Sequence, residues 1–123
     1  MILVDTSVWI DHISMSDPVL TDLLINERVL AHPYVIGEIS LGSLRNREMV
    51  LGALLDLPSA PVATPEEIFY LIEREEMFGR GIGYVDTALL AAARLQPGAT
   101  IWTRDKRLKS AADQLGLNAA LDH

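Results

Sequence analysis

Three short apolar runs, Ile2-Leu3-Val4, Val29-Leu30-Ala31 and Thr100-Ile101-Trp102-Thr103, are each followed within a few positions by a helix-starting signal. Runs this short and this uniformly apolar read as strands buried on both faces. Strands that alternate with helices pair in parallel through right-handed crossovers, which predicts a three-layer α/β/α sandwich around a short parallel sheet. Ligands of such sheets bind outside the carboxyl ends of the strands. The residues just after the runs therefore carry the functional interest.

The helical signals between the runs are local and specific. Thr6-Ser7 caps a helix over 8–13, and Asp17 followed by Pro18 starts a second, with Leu20, Leu23 and Leu24 on one face. A third begins near Pro33 and carries Glu38 among Val35, Ile36, Ile39, Leu41 and Leu44; Asn46 caps a fourth that ends before Pro58. Residues 61–63 read as a weak strand. Thr64-Pro65-Glu66-Glu67 is a capping box opening an amphipathic helix over 68–78, whose Glu73, Glu75 and Glu76 form a solvated face. Gly79-Arg80-Gly81-Ile82-Gly83 breaks the pattern, and 84–95 then runs almost wholly apolar, as a buried helix does. Pro97-Gly98 ends it, 106–115 is a helix closed by Gly116, and 118–121 a last short strand. With 123 residues, half of them apolar, and no linker or repeat, the chain reads as one domain spanning 1–123.

Four acids stand where solubility alone would not put them: Asp5 after the first run, Glu38 inside the third helix, Asp86 opening the apolar helix, and Asp105 after the last run. Carboxylates ~5 Å apart repel by about 3 kcal/mol per pair at an effective dielectric near 20. A converging set therefore demands protons or cations. Each acid also has a structural reading: Asp5 as a helix cap, although Ser7 is better placed for that job; Asp86 as a partner for a helix dipole; Glu38 as an ordinary helix-surface residue; Asp105 as an N-cap. Taken together they predict a divalent-metal site. The chain has no cysteine, and His12, His32 and His123 show no paired spacing, so these histidines read as polar residues of the surface or half-interior. The remaining oxygen ligands suit Mg2+ or Mn2+. Thr6, Ser7 and Thr103 offer hydroxyls that orient carboxylates. Such a site hydrolyses phosphodiesters without a protein nucleophile, in keeping with the lack of a serine or cysteine motif.

The net charge of −7 argues against nonspecific binding to nucleic acid or an anionic membrane. The charge is uneven: 5 basic and 14 acidic residues up to Asp86, then 5 basic and 3 acidic from Thr87 onward. Arg104, Lys106 and Arg107 around Asp105 read either as a solvated helix face or as a rim that holds phosphates, and Arg80 in its glycine-rich turn can approach a phosphate. No apolar run approaches the ~20 residues of a membrane span. Residues 1–4 lack a basic flank and read as strand, not signal peptide, which points to a soluble protein of the cytoplasm.

These stretches resemble the PIN-domain ribonucleases, specifically the VapC toxins of toxin-antitoxin pairs. The resemblance rests on Leu3-Val4-Asp5-Thr6-Ser7-Val8-Trp9, Gly37-Glu38-Ile39, Gly81-Ile82-Gly83-Tyr84-Val85-Asp86-Thr87-Ala88-Leu89-Leu90-Ala91 and Thr103-Arg104-Asp105-Lys106-Arg107-Leu108, in family order across nearly the whole chain. It implies a homodimer that cleaves structured RNA, of the tRNA or rRNA kind, with Mg2+ or Mn2+. It implies an acidic pocket of Asp5, Glu38, Asp86 and Asp105, supported by Thr6 and Thr103, and neutralisation by a VapB antitoxin. Some relatives carry a further acid where this chain has Arg107, which implies that Asp105 reaches metal through water. Two other readings stay open: a catalytically silent PIN-like module that binds a basic partner, and a haloacid-dehalogenase-type phosphatase, which requires an aspartate at the place of Ser7.

Overall fold

The computed structural model describes residues 1–121; the expectation for His123 falls outside them. Ile2–Val4 forms β1, the middle strand of a parallel sheet, with Val29–Leu30 (β2) on one side and Thr100–Trp102 (β3) on the other. Ile2 pairs with Val29 and Thr100, Leu3 with Leu30 and Ile101, and Val4 with Trp102. Successive strand residues face opposite sides. Leu3 and Val4 are both completely buried, so helices cover both faces, as expected for an α/β sandwich.

Single parallel bridges, Ala31 to Ser59 and Ile101 to Asn118, extend the sheet at its two edges. The strand expected at 61–63 is absent. Ala31 donates to the Pro58 carbonyl (2.8 Å) and accepts from the Ala60 amide (2.8 Å), after which Pro61 has no N–H to continue the ladder. The strand expected at 118–121 is likewise reduced to one bridge, made by the Ile101 amide to Leu117 (2.7 Å) and the Ala119 amide to Ile101 (3.0 Å).

Helices fill the connections: α1 (Thr6–Ser14), α2 (Pro18–Ile25), α3 (Pro33–Ser40), α4 (Arg47–Leu55), α5 (Pro65–Arg74), α6 (Tyr84–Leu95) and α7 (Lys106–Leu115). The α5 capping box is formed as expected. Its helix ends at Arg74 rather than 78, because Glu76 turns into the left-handed region (φ 53°) and carries Met77 into the core. Asn46 precedes α4 without a side-chain cap bond. Gly116 closes α7 at φ 70°, a conformation open to glycine at little strain.

In α6, every residue from Thr87 to Ala93 is buried, and the helix packs on β3 and α5. Leu89, Leu90, Ile101, Leu108, Leu20 and Ile68 are at most 1% exposed. Each such side chain contributes roughly 1.5–3 kcal/mol. His32 belongs to this interior too, contrary to the half-surface place expected of it: it is fully buried at the end of β2, where its Nδ1 caps α3 by accepting from the Tyr34 amide (3.0 Å). No helix among the described residues is long and apolar enough to cross a membrane.

Candidate active site

The chain leaves β1 at Val4, and the Asp5 amide still bonds the Trp102 carbonyl (2.9 Å), so Asp5 continues the sheet's register before α1 begins. β2 and β3 flank β1 on opposite sides, which makes this carboxyl edge the point where the winding reverses and a crevice opens. Asp5 itself is the N-cap of α1. The capping expected of Ser7 goes the other way: Ser7 lies in the first turn and its hydroxyl donates to Asp5 Oδ2 (2.7 Å). Thr103, buried after β3, donates to the same oxygen (2.8 Å). Asp5 is thus 6% exposed with one oxygen held by two hydroxyls.

The other three acids arrive on separate helices. Glu38 projects from α3, which packs on α1, and its Oε1 accepts from the Thr6 hydroxyl (2.6 Å). Asp86, in the first turn of α6, reaches back with Oδ2 to the Gly83 amide (3.3 Å). Asp105 caps α7, its Oδ1 accepting from the amides of Arg107 (2.9 Å) and Leu108 (3.0 Å). Asp5, Asp86 and Asp105 thus stand at three helix N-termini, whose dipoles offset part of the mutual repulsion, whereas Glu38 lies in the last turn of α3.

Asp86 reports the convergence. Its carboxyl is pushed above the ordinary 3.8, first by burial and then by the charges of Asp5, Asp105 and Glu38, against the lowering bond from Gly83. All four expected acids therefore act on one locality. In every one of them a single oxygen is anchored, and the second, Asp5 Oδ1, Glu38 Oε2, Asp86 Oδ1 and Asp105 Oδ2, makes no hydrogen bond among the described residues. The set is not a closed cage: no group of three His, Asp or Glu side chains among the described residues is gathered for direct metal coordination. Such a loose all-oxygen set fits a hydrated Mg2+ or Mn2+, which keeps several waters and takes one or two carboxylates directly.

The raised carboxyl yields a prediction. A group whose folded pKa lies above its unfolded value stabilises below the unfolded value, and that stability is lost as pH rises through the folded one. Ionised Asp86 is thus a burden at neutral pH, and Asp86→Asn should raise the melting temperature of chelator-treated protein. Because the group is only half-buried, solvent screening keeps the gain small, a few degrees at most. It should vanish as the pH nears 4; a variant that melts lower than wild type at pH 7 would contradict it.

Residues 2–114 match the family model for the PIN domain. Two curated relatives, both called Ribonuclease VapC32 and from two strains of Mycobacterium tuberculosis, are 47% identical over 120 residues, covering 98% of this chain and 97% of each relative. The chain belongs to the VapC family of PIN-domain proteins. The resemblance drawn from its four motifs is therefore correct, and the sandwich expected from the runs is the PIN-domain fold.

The basic residues of this VapC-family chain do not act as one rim. Arg104 turns away from the acids onto α1 and the α1–α2 turn, pairing with Asp11 and with Asp17 Oδ2 (2.6 Å), its guanidinium over Trp102 at 5.8 Å. Its backbone amide donates to the Ser7 hydroxyl (3.1 Å). Arg80 lies on α7, bonded to Gln114 and to the Ser110 hydroxyl (3.3 Å). Lys106 and Arg107 are exposed beside Asp105. Asp11 and Asp17 escaped the sequence reading as contributors to this region. Asp17 was legible as the cap of α2, but nothing local tells that its second oxygen reaches a residue 87 positions away.

Proposed function

We propose that the chain is a Mg2+- or Mn2+-dependent endoribonuclease that cleaves structured RNA of the tRNA or rRNA kind, the toxin of a pair held in check by a VapB-type antitoxin. The observation that carries this reading is the set of four carboxylates, each with one oxygen anchored and one left over. The curated relatives bear the name ribonuclease. A bound cation supplies charge to polarise a scissile phosphate and to acidify a water.

The chain's own groups prepare that chemistry. Thr103 and Ser7 fix Asp5 through Oδ2 and leave its other oxygen available, Thr6 does the same for Glu38, and the Gly83 amide holds Asp86. Pre-aimed acceptors need no reorganisation when charge develops. Asp105, with one oxygen given to its cap, takes part through water. Lys106 and Arg107 supply exposed cations for a phosphate beside Asp105, while Arg80 and Arg104, bonded to α7 and to Asp11 and Asp17, contribute charge at longer range. Exposed Phe69, Tyr70 and Tyr84 on α5 and α6 give an apolar face for a homodimer; a monomeric mass at micromolar concentration would remove that part. We read the whole chain as one PIN domain acting in the cytoplasm.

Purified protein incubated with total tRNA should cleave it in Mg2+ or Mn2+ and stop on chelation. Cleavage that survives chelation sinks the metal mechanism. The openness of the acidic set favours one rival, a silent module that docks a basic partner. A specific Mn2+ affinity lost in Asp86→Asn decides against the rival. Co-purification with the product of an adjacent small gene, and loss of cleavage in that complex, tests the antitoxin.

A further inference from the structure

Arg107 has an unusual position for a cation. It stands in the first turn of α7, next to Lys106, where the helix dipole disfavours positive charge. Its side chain makes no hydrogen bond or ion pair among the described residues. Its guanidinium nonetheless lies against the glycine-rich turn. A Cβ on Gly81 would lie 2.5 Å from Arg107 Nη1, 3.0 Å from its Cδ and 3.1 Å from its Cζ, so the guanidinium rests on bare glycine backbone. Gly81 lies two residues before Gly83, whose amide holds Asp86, while the Arg107 amide bonds Asp105. The side chain thus spans from the α7 acid to the loop that anchors the α6 acid. The glycine-rich turn serves Arg107, not Arg80, which lies on α7 instead.

We propose that Gly81 is a recess shaped for Arg107, and that Arg107 held there grips an RNA phosphate beside the acidic site and sets the register in which the strand enters. This deepens the ribonuclease reading and rests on it. A guanidinium seated over bare glycine backbone with its donors unpaired can meet a phosphate with its planar fork. An unrestrained surface lysine such as Lys106 adds charge without register.

The test compares five variants, four single and one double, by tRNA binding in chelator across a salt series, and by steady-state cleavage in Mn2+. Arg107→Gln should weaken binding and raise KM about tenfold, leave kcat within about threefold, and lower the log-log salt slope by about one. Arg107→Lys should restore the slope but not the affinity. Gly81→Ala should reproduce most of the Arg107→Gln loss and add little to it in the double variant. Gly79→Ala is the matched control: it has a similar positive φ (72° against 79°) but nothing within 4 Å of its Cβ, so it carries the backbone strain without touching Arg107. It should bind like wild type. Unchanged binding in Arg107→Gln, or equal losses in both glycine variants, overturns the proposal. Wild-type protein that binds tRNA with the predicted slope yet never cleaves it would instead sink the ribonuclease reading alone.

Discussion

Asp5→Asn is expected to lower kcat for RNA cleavage by at least about 10²-fold while leaving the fold intact, the largest functional effect of any single change in this chain. The residue is nearly buried, with Oδ2 held by Ser7 and Thr103 and Oδ1 without a hydrogen bond among the described residues. Asparagine keeps an oxygen for those two hydroxyls. Its amide nitrogen must then take the place of Oδ1, so a donor stands where an acceptor stood and one negative charge is gone. Both changes oppose cation binding. The melting temperature, measured against chelator-treated wild type, should stay within a few degrees. Asp5→Ala is a poorer probe, because it orphans two buried hydroxyls as well. Cleavage within tenfold of wild type in Asp5→Asn would place the chemistry elsewhere.

The acids at 5 and 105 were legible because each terminates an apolar run, and a strand end in a parallel sheet has a fixed address. Asp86 was legible from contrast, one charge opening an otherwise apolar helix. Glu38 was not distinguishable alone from any exposed helix glutamate; it is exposed in fact, and only the packing of α3 on α1 brings it to Thr6. The basic cluster shows the opposite limit. Arg104, Lys106 and Arg107 look equivalent in a row, yet one is clasped by two aspartates, one is solvated and one rests on a glycine. Contacts 26 to 93 positions apart in sequence tell them apart, and no local pattern encodes such contacts. His32 was misplaced for a related reason: a histidine before proline does not advertise itself as a cap, since serine, threonine and aspartate usually do that work.

Asp17→Ala is expected to be the most destabilising surface-loop change, lowering stability by about 2–4 kcal/mol, or roughly 10 °C for a chain of this length. Asp17 is only 9% exposed and serves two structures at once. Oδ1 caps α2 through the amides of Val19 (2.8 Å) and Leu20 (3.1 Å), worth about 1 kcal/mol. Oδ2 pairs with Arg104 at 2.6 Å in a partly buried setting. The Asp17 amide also donates to His12 Nδ1 (2.9 Å), so the α1–α2 turn is fastened from three sides. Removing the carboxylate takes from Arg104 its more buried acidic partner; Asp11 remains, its side chain 59% exposed and its pairing screened by water. Asp11→Asn should accordingly cost less than about 1 kcal/mol. Asp17→Asn, which keeps a capping oxygen, should fall between the two. The loss should also reach the site: Arg104 is flanked by Thr103 and Asp105, and its amide bonds the Ser7 hydroxyl that holds Asp5. At temperatures well below melting, Asp17→Ala should therefore show a reduced kcat with little change in KM. Equal melting temperatures for Asp11→Asn and Asp17→Ala would mean that the Asp17 carboxylate does not hold the turn and that the Arg104 clasp contributes nothing to the site.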